Sequence, residues 1–236
     1  MVAICAQSSV RAFTIYGPMT KTAREAILGS IRTHLAASVP FDVHEHPVHL
    51  ENPVILSKTP LDISLADLFK RNLESVIGRC IITTDVTDAL RQIITDLEAR
   101  RIAISDDANV ERWLRLTDLE IEELGIAPNA HDIFRFDIGI STAQAAIAET
   151  GTLVLDSAHE RHRLVSLVPP VHIAIVDASR IVETLGDALA LLRSKHEISP
   201  AVTFITGPSR TADIELTLAI GVHGPQELYV IVNEST

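Results

Sequence analysis

From Arg79 onward the chain alternates short apolar stretches with segments of helical spacing, and that rhythm limits the fold more than any other feature. Residues 80–84, 101–105, 133–138, 153–155, 171–176, 202–206 and 228–232 read as strands. Several of them place apolar residues at consecutive positions, without the in–out alternation of a sheet that has one wet face. A strand of that kind is covered on both sides, as in a parallel sheet packed between helices. Asp85 caps a helix whose Val86, Leu90, Ile93, Ile94 and Leu97 share a face. Further helices are expected over 113–124, 141–148, 161–167, 180–192 and 211–220. Residues 79–236 are therefore read as an α/β domain built on a mostly parallel open sheet.

Residues 1–78 lack that rhythm and read as an N-terminal helical cap and loop. Thr22 and Glu25 have capping-box spacing ahead of Ile27, Ile31 and Leu35, which recur four apart. Pro40, Pro47, Pro53 and Pro60 then break the pattern. His44, His46 and His49 fall within that loop, and alternate histidines on an extended segment share a side, but no fixed fourth ligand accompanies them. A second helix opens at Ser64 and Asp67, turns Leu65, Leu68, Phe69, Leu73, Val76 and Ile77 inward, and stops at Gly78.

Charge and cysteine content exclude several classes of function. A formal net charge of -11, with 4% aromatic residues, argues against nucleic acid as a partner, because phosphate binding needs basic patches and base stacking needs rings. Cys5 and Cys80 are the only cysteines and form no paired motif, so a disulfide framework, a zinc knuckle or an iron–sulfur site in this chain is not expected. Residues 1–6 are apolar but shorter than the core of a signal peptide, and no later run is long enough to span a bilayer. The expectation is a protein of the reducing cytoplasm.

Glu149 is the first residue to suggest chemistry. It follows Ala143, Ala145, Ala146 and Ala148, good helix formers with little bulk, and enters a turn at Thr150 and Gly151. A carboxylate there can act as nucleophile or base, or simply face solvent at a helix end. In the run Gly207-Pro208-Ser209-Arg210-Thr211, a strand end turns into an expected helix. Free N–H groups, hydroxyls and one guanidinium would seat a carboxylate. A capped helix with Arg210 paired to Asp213 or Glu215 explains the same residues. His223, between Gly221 and Gly224, is a candidate proton donor or an ordinary turn histidine. Of the arginines at 161 and 163, Arg163 is better placed to turn toward the same pocket.

Four runs in order resemble one family: Ala145-Ala-Ile-Ala-Glu149-Thr-Gly-Thr-Leu-Val, Ser166-Leu-Val-Pro-Pro-Val-His172-Ile-Ala, Ile205-Thr-Gly-Pro-Ser-Arg-Thr-Ala-Asp-Ile-Glu215, and Gly221-Val-His-Gly-Pro225. Together they resemble the LUD domain of the lactate-utilisation protein C family. The resemblance implies a three-layer α/β fold like that of the NagB/RpiA/CoA-transferase group, with an N-terminal helical cap. It also implies a bacterial setting, L-lactate oxidation to pyruvate. There such a subunit works with two cysteine-bearing partners, one of them an iron–sulfur protein, so clusters are expected in the partners and no cofactor is identified for this chain. Glu149-Thr150-Gly151 is similar to the Glu-x-Gly turn of CoA-transferases, whose glutamate is the nucleophile.

The expected site places a small carboxylate, lactate, among Thr150, Gly151, Arg163, Gly207, Ser209, Arg210, Thr211 and Gly224, with Glu149 and His223 as the catalytic pair. Two other readings stay open: an acyl- or CoA-transfer enzyme with Glu149 as nucleophile, and a non-catalytic ligand-sensing or scaffold subunit.

Overall fold

A computed structural model describes residues 21–37, 62–157, 163–194, 201–211, 219–220 and 224–235. The chain divides into two units, Met1–Leu56 and Ser57–Thr236. In the first, helix α1 runs over Lys21–Ala37, and its Ile27, Ile31 and Leu35 are exposed. His44, His46 and His49 lie outside the described residues.

The second unit opens with α2 (Leu65–Ser75), whose first turn is closed by the Asp67 N–H donating to Ser64 Oγ (3.0 Å). Phe69 and Leu73 are fully buried and share one core with strands that follow, so α2 packs as part of the α/β layers although the sequence grouped it with residues 1–78. The helix ends as the Gly78 N–H returns to the Leu73 carbonyl (3.0 Å), with Ile77 taking the left-handed turn at φ 68.

The main sheet has the order β1-β12-β7-β4-β2-β3, and every pairing in it is parallel. Its strands are β1 (Arg79–Thr83), β2 (Arg101–Ile104), β3 (Glu123–Ile126), β4 (Ile138–Thr142), β7 (Val171–Asp177) and β12 (Glu227–Asn233). The fold is α/β on a mostly parallel sheet, as the consecutive apolar residues required. One face packs Ile102, Ile104, Ile138, Ile140, Ile173 and Ile231 beneath α3 (Val86–Asp96) and α4 (Ala108–Leu116). The opposite face carries Ala174, Val176, Val230 and Val232 against α2 and against a second sheet.

That second sheet has the order β8-β5-β6-β9, from β5 (Ala145–Ile147), β6 (Thr152–Asp156), β8 (Ile181–Val182) and β9 (Val202–Ile205). Helix α6 (Leu185–Arg193), opened by a Thr184/Asp187 capping box, covers its far side through Ala188. The third layer is thus partly β.

The helix expected over 141–148 is instead the end of β4 followed by β5. The physical cause is burial on two sides. Ala146 and Ala148 pack toward the main sheet, while Ala145 and Ile147 pack toward α6. Small side chains let layers on both faces close on one strand, and this outweighs alanine's helix preference. The helix expected over 113–124 is displaced too: α4 starts after Asp107, ends at Leu116, and β3 follows. The strand expected from residue 133 begins with a 3-10 turn, Ile133–Arg135, and extends only from Ile138. Residues 153–155 and 202–206 lie in the second sheet with antiparallel pairing, not in the parallel one.

Helix α5 (Leu164–Leu167) lies over Gly139, where an added Cβ would stand 1.9 Å from the Val165 carbonyl oxygen. Strands β10 (Arg210–Thr211) and β11 (Ala219–Ile220) pair antiparallel, so the helix expected over 211–220 does not begin at Thr211. Residues 212–218 lie outside the described residues.

Candidate functional site

Two turns of the second sheet meet the C-terminal half of α2. Gly151, at φ 65, lies so close that an added Cβ would fall 2.3 Å from the Leu73 nitrogen. Gly207, at φ 76, packs on Val76 in the same way, with an added Cβ 2.6 Å from its carbonyl oxygen. Because β6 and β9 pair with Leu153 opposite Ile205, the two turns are neighbours. A chain of hydroxyls joins them, Thr150 to Thr152 to Thr206, at 2.7 Å for each contact. Asn72 Nδ2 donates to the Ala148 carbonyl (2.7 Å) and the Glu149 carbonyl (3.1 Å), fixing the first turn to the helix.

The ionic groups expected to work together are otherwise engaged. Arg210 Nη2 donates to the Val76 carbonyl at the end of α2, and the backbone at Arg210 is extended. A carboxylate seat formed by a helix start at 209–211 is therefore not what this segment builds. The Glu149 side chain is exposed, with Oε1 accepting the Leu185 N–H at the start of α6 (3.3 Å). Arg163 is exposed just ahead of α5, and its carbonyl accepts from Ser166 Oγ (2.9 Å). His223 lies outside the described residues, and Thr211 is described by its backbone alone.

Gly207, Ser209 and Gly224 do come together, around a cavity of about 220 Å³ between the two sheets. The Ser209 N–H donates to the Pro225 carbonyl (2.8 Å), and an added Cβ on Gly224 would sit 3.0 Å from Ser209 Cβ, so these loops touch. Thr206, Phe204 and Leu167 are exposed and mark the mouth, whereas Ser166, Leu228 and His172 are buried and form the inner end. Among the described residues the lining carries no formal charge.

His172, on β7, was quoted in the sequence only as part of a motif. It is fully buried, and its Nε2 is 2.9 Å from Ser141 Oγ on the adjacent strand. Among the described residues its Nδ1 has no hydrogen-bond partner. Burial pushes the imidazole down from its ordinary range to about 3, so the ring is neutral at physiological pH. A neutral imidazole keeps one donor and one acceptor nitrogen. A histidine inside a β-strand reads as packing, so only its place on the cavity wall marks it as a candidate.

A second cavity, of about 200 Å³, opens at the carboxyl ends of β2, β4 and β7. The chain leaves β2 toward β3 on one side, and β4 lies on the other. That is the switch point where open parallel sheets place ligands. Asp107, Asp156 and Asp177 line this cavity with Arg180, Trp113 and Gln144. Asp107 Oδ2 accepts from Thr142 Oγ1 (3.3 Å), and Asp177 Oδ1 accepts from Asn233 Nδ2 (2.9 Å). Among the described residues of the lining, three carboxylates against one guanidinium favour a cationic or hydroxyl-rich ligand over a small anion. The sequence signal was an aspartate just beyond or at the end of each of three apolar strands, which the motif-led reading passed over.

Comparison with known proteins gives one consistent answer. The model of the LUD domain matches residues 66–232. A lactate utilization protein C of Geobacillus is 40% identical over 193 residues, covering 72% of this chain and 78% of that protein. One from Anoxybacillus flavithermus is 30% identical over 179 residues, covering 72% of this chain and 81% of its own length. Among solved structures, a DUF162 family protein of Deinococcus radiodurans matches with a TM-score of 0.53 and 22% identity. It covers 72% of this chain and 98% of that one, a likeness of fold.

Proposed function

The chain belongs to the LUD domain family, and from that premise we propose that it serves lactate utilisation as a bacterial, cytoplasmic protein C-type subunit. In this reading it takes part in oxidising L-lactate to pyruvate together with cysteine-rich and iron–sulfur partner subunits. The observation that carries the reading is the 40% identity with a protein named for lactate utilisation, over 78% of that protein's length. Oxidation of a hydroxy acid needs an electron acceptor. Two cysteines fall short of the four thiolates of an iron–sulfur cluster, and in this reading the partner subunits carry that chemistry.

The inter-sheet cavity is the better seat for a short acid. Its volume of about 220 Å³ leaves room for a three-carbon acid. Its exposure is graded: the exposed rim at Thr206 keeps a carboxylate in contact with water, while Ser166, His172 and Leu228 at the inner wall are buried. Placing the charge at the wet end avoids the desolvation that an unpaired buried carboxylate would suffer. The acidic lining of the switch-point cavity repels such a ligand.

The test is genetic and biochemical. Deleting the gene should abolish growth on L-lactate as sole carbon source and leave growth on pyruvate intact. A tagged copy should retain iron–sulfur proteins during purification. Undiminished growth of the deletion strain on L-lactate would sink the proposal.

A further inference from the structure

The inner end of the cavity that this reading assigns to a short acid is lined by a fully buried residue that carries an unsatisfied polar atom. Buried polar atoms are almost always hydrogen-bonded, and one left alone in a dry wall costs stability unless an occupant completes it. His172 lines the inner end of the cavity, and Nδ1 is its nitrogen without a partner. The other nitrogen, Nε2, is held at 2.9 Å by Ser141 Oγ, which restrains the ring. Gly139, opposite His172 in the β4–β7 register, brings α5 down onto this face and encloses the site.

We infer that His172 Nδ1 is the recognition group for the 2-oxygen of a short 2-hydroxy or 2-oxo carboxylate bound between the two sheets. In this account the acid lies lengthwise in the cavity. Its carboxylate stays at the rim near Thr206 and Ser209. Its second carbon carries the oxygen toward His172, and the methyl group meets Leu228 at the inner end. Plain carboxylates of the same length fill the same space but leave Nδ1 unpaired. The site therefore selects by a hydrogen bond that only the 2-oxygen acids can make. His172 is in this account a binding residue, and no bond to carbon or hydrogen is broken by it.

This inference rests on the lactate-utilisation reading, and the experiment separates the two. L-lactate, pyruvate and propionate are titrated calorimetrically into the full chain and into His172→Phe. In parallel, the ring nitrogens of His172 are followed by long-range ¹H–¹⁵N correlation in the wild type, with the residue assigned through its backbone. L-lactate or pyruvate should bind about tenfold more tightly than propionate. The ratio should fall to near one in His172→Phe, and the Nδ1 resonance should move with the 2-oxygen acid but not with propionate. An unmoved Nδ1 at saturation, or an undiminished preference in the variant, overturns the role of His172 and leaves the lactate reading standing. If the wild type binds none of the three acids, the lactate seat fails and the inference fails with it. The wild-type spectra decide the matter even if His172→Phe does not fold.

Discussion

Glu149 Oε1 accepts the first N–H of α6 at 3.3 Å, where the helix's aligned peptide dipoles favour a negative charge. That contact gives the carboxylate structural work independent of any covalent chemistry. Glu149→Gln should cost about 0.3–1 kcal/mol in urea unfolding, as expected for a surface charge at a helix start. Incubation with acyl-CoA should leave the mass of Glu149 unchanged; an acyl or CoA adduct there would instead favour the group-transfer reading. Arg210 is a similar case. Since its guanidinium holds the Val76 carbonyl, Arg210→Ala should lower stability by about 1 kcal/mol and change lactate affinity by less than about twofold, measured calorimetrically. Cys80 is buried, and desolvation pushes its thiol up to about 12. Relative to an ordinary thiol near 9, the reactive thiolate is about a thousandfold scarcer at pH 8. In a Cys5→Ser background the native protein should not react with a disulfide reagent until denaturant opens the core.

Between β5 and β6, the 149–151 turn shows what element-level reading of a sequence can and cannot reach. Gly151 was legible as a turn glycine. What demands glycine is the α2 backbone pressed against it, which no local pattern announces. Gly151→Ala combines a left-handed backbone, about 1–2 kcal/mol, with a clash of similar size, so urea denaturation should show a loss of about 3 kcal/mol. The main strands were legible because Ile102 to Ile104, Ile138 to Ile140 and Val230 to Val232 are apolar on both faces. Strand β5 was not, because Ala145 and Ala146 are small for the sake of close layers, and a run of alanines reads locally as helix. Misplacing β5 and β9 also misplaced the loops after them. Gly207 was expected at a carboxyl edge of the parallel sheet and sits instead at the end of an antiparallel strand against α2. Gly207, Ser209 and Gly224 still met, since their motifs mark tight turns whatever sheet they leave. The acidic switch-point cavity stayed hidden because its aspartates come from separate strands and only the strand order gathers them.

The stability of the Ser57–Thr236 unit should carry the signature of the fully buried imidazole of His172. The His172 ring titrates near 3 in the folded protein because burial disfavours the cation, whereas an unfolded chain lets it titrate at about 6.5. Below pH 6.5 the unfolded state therefore binds a proton that the folded state refuses, and stability falls as pH drops through the window from about 6.5 to about 3. The slope approaches ~1.4 kcal/mol per pH unit, and the loss at pH 5 is about 2 kcal/mol relative to neutral pH. Asp137 adds to the same side at lower pH. Burial alone would raise its carboxyl, but hydrogen bonds from Arg101 Nη2 (2.6 Å) and from the Arg101 N–H (2.9 Å) outweigh it and hold the group below the usual carboxylate range. Its contribution, tying the start of β4 to the start of β2, is present above pH 4 and is lost as that carboxyl protonates. Urea midpoints measured from pH 7.5 to pH 4 should thus be flat near neutrality and decline steadily below pH 6.5. A midpoint at pH 5 equal to that at pH 7 would mean that the ring at 172 accepts its proton in the folded state, and with it that the inner end of the cavity is wet.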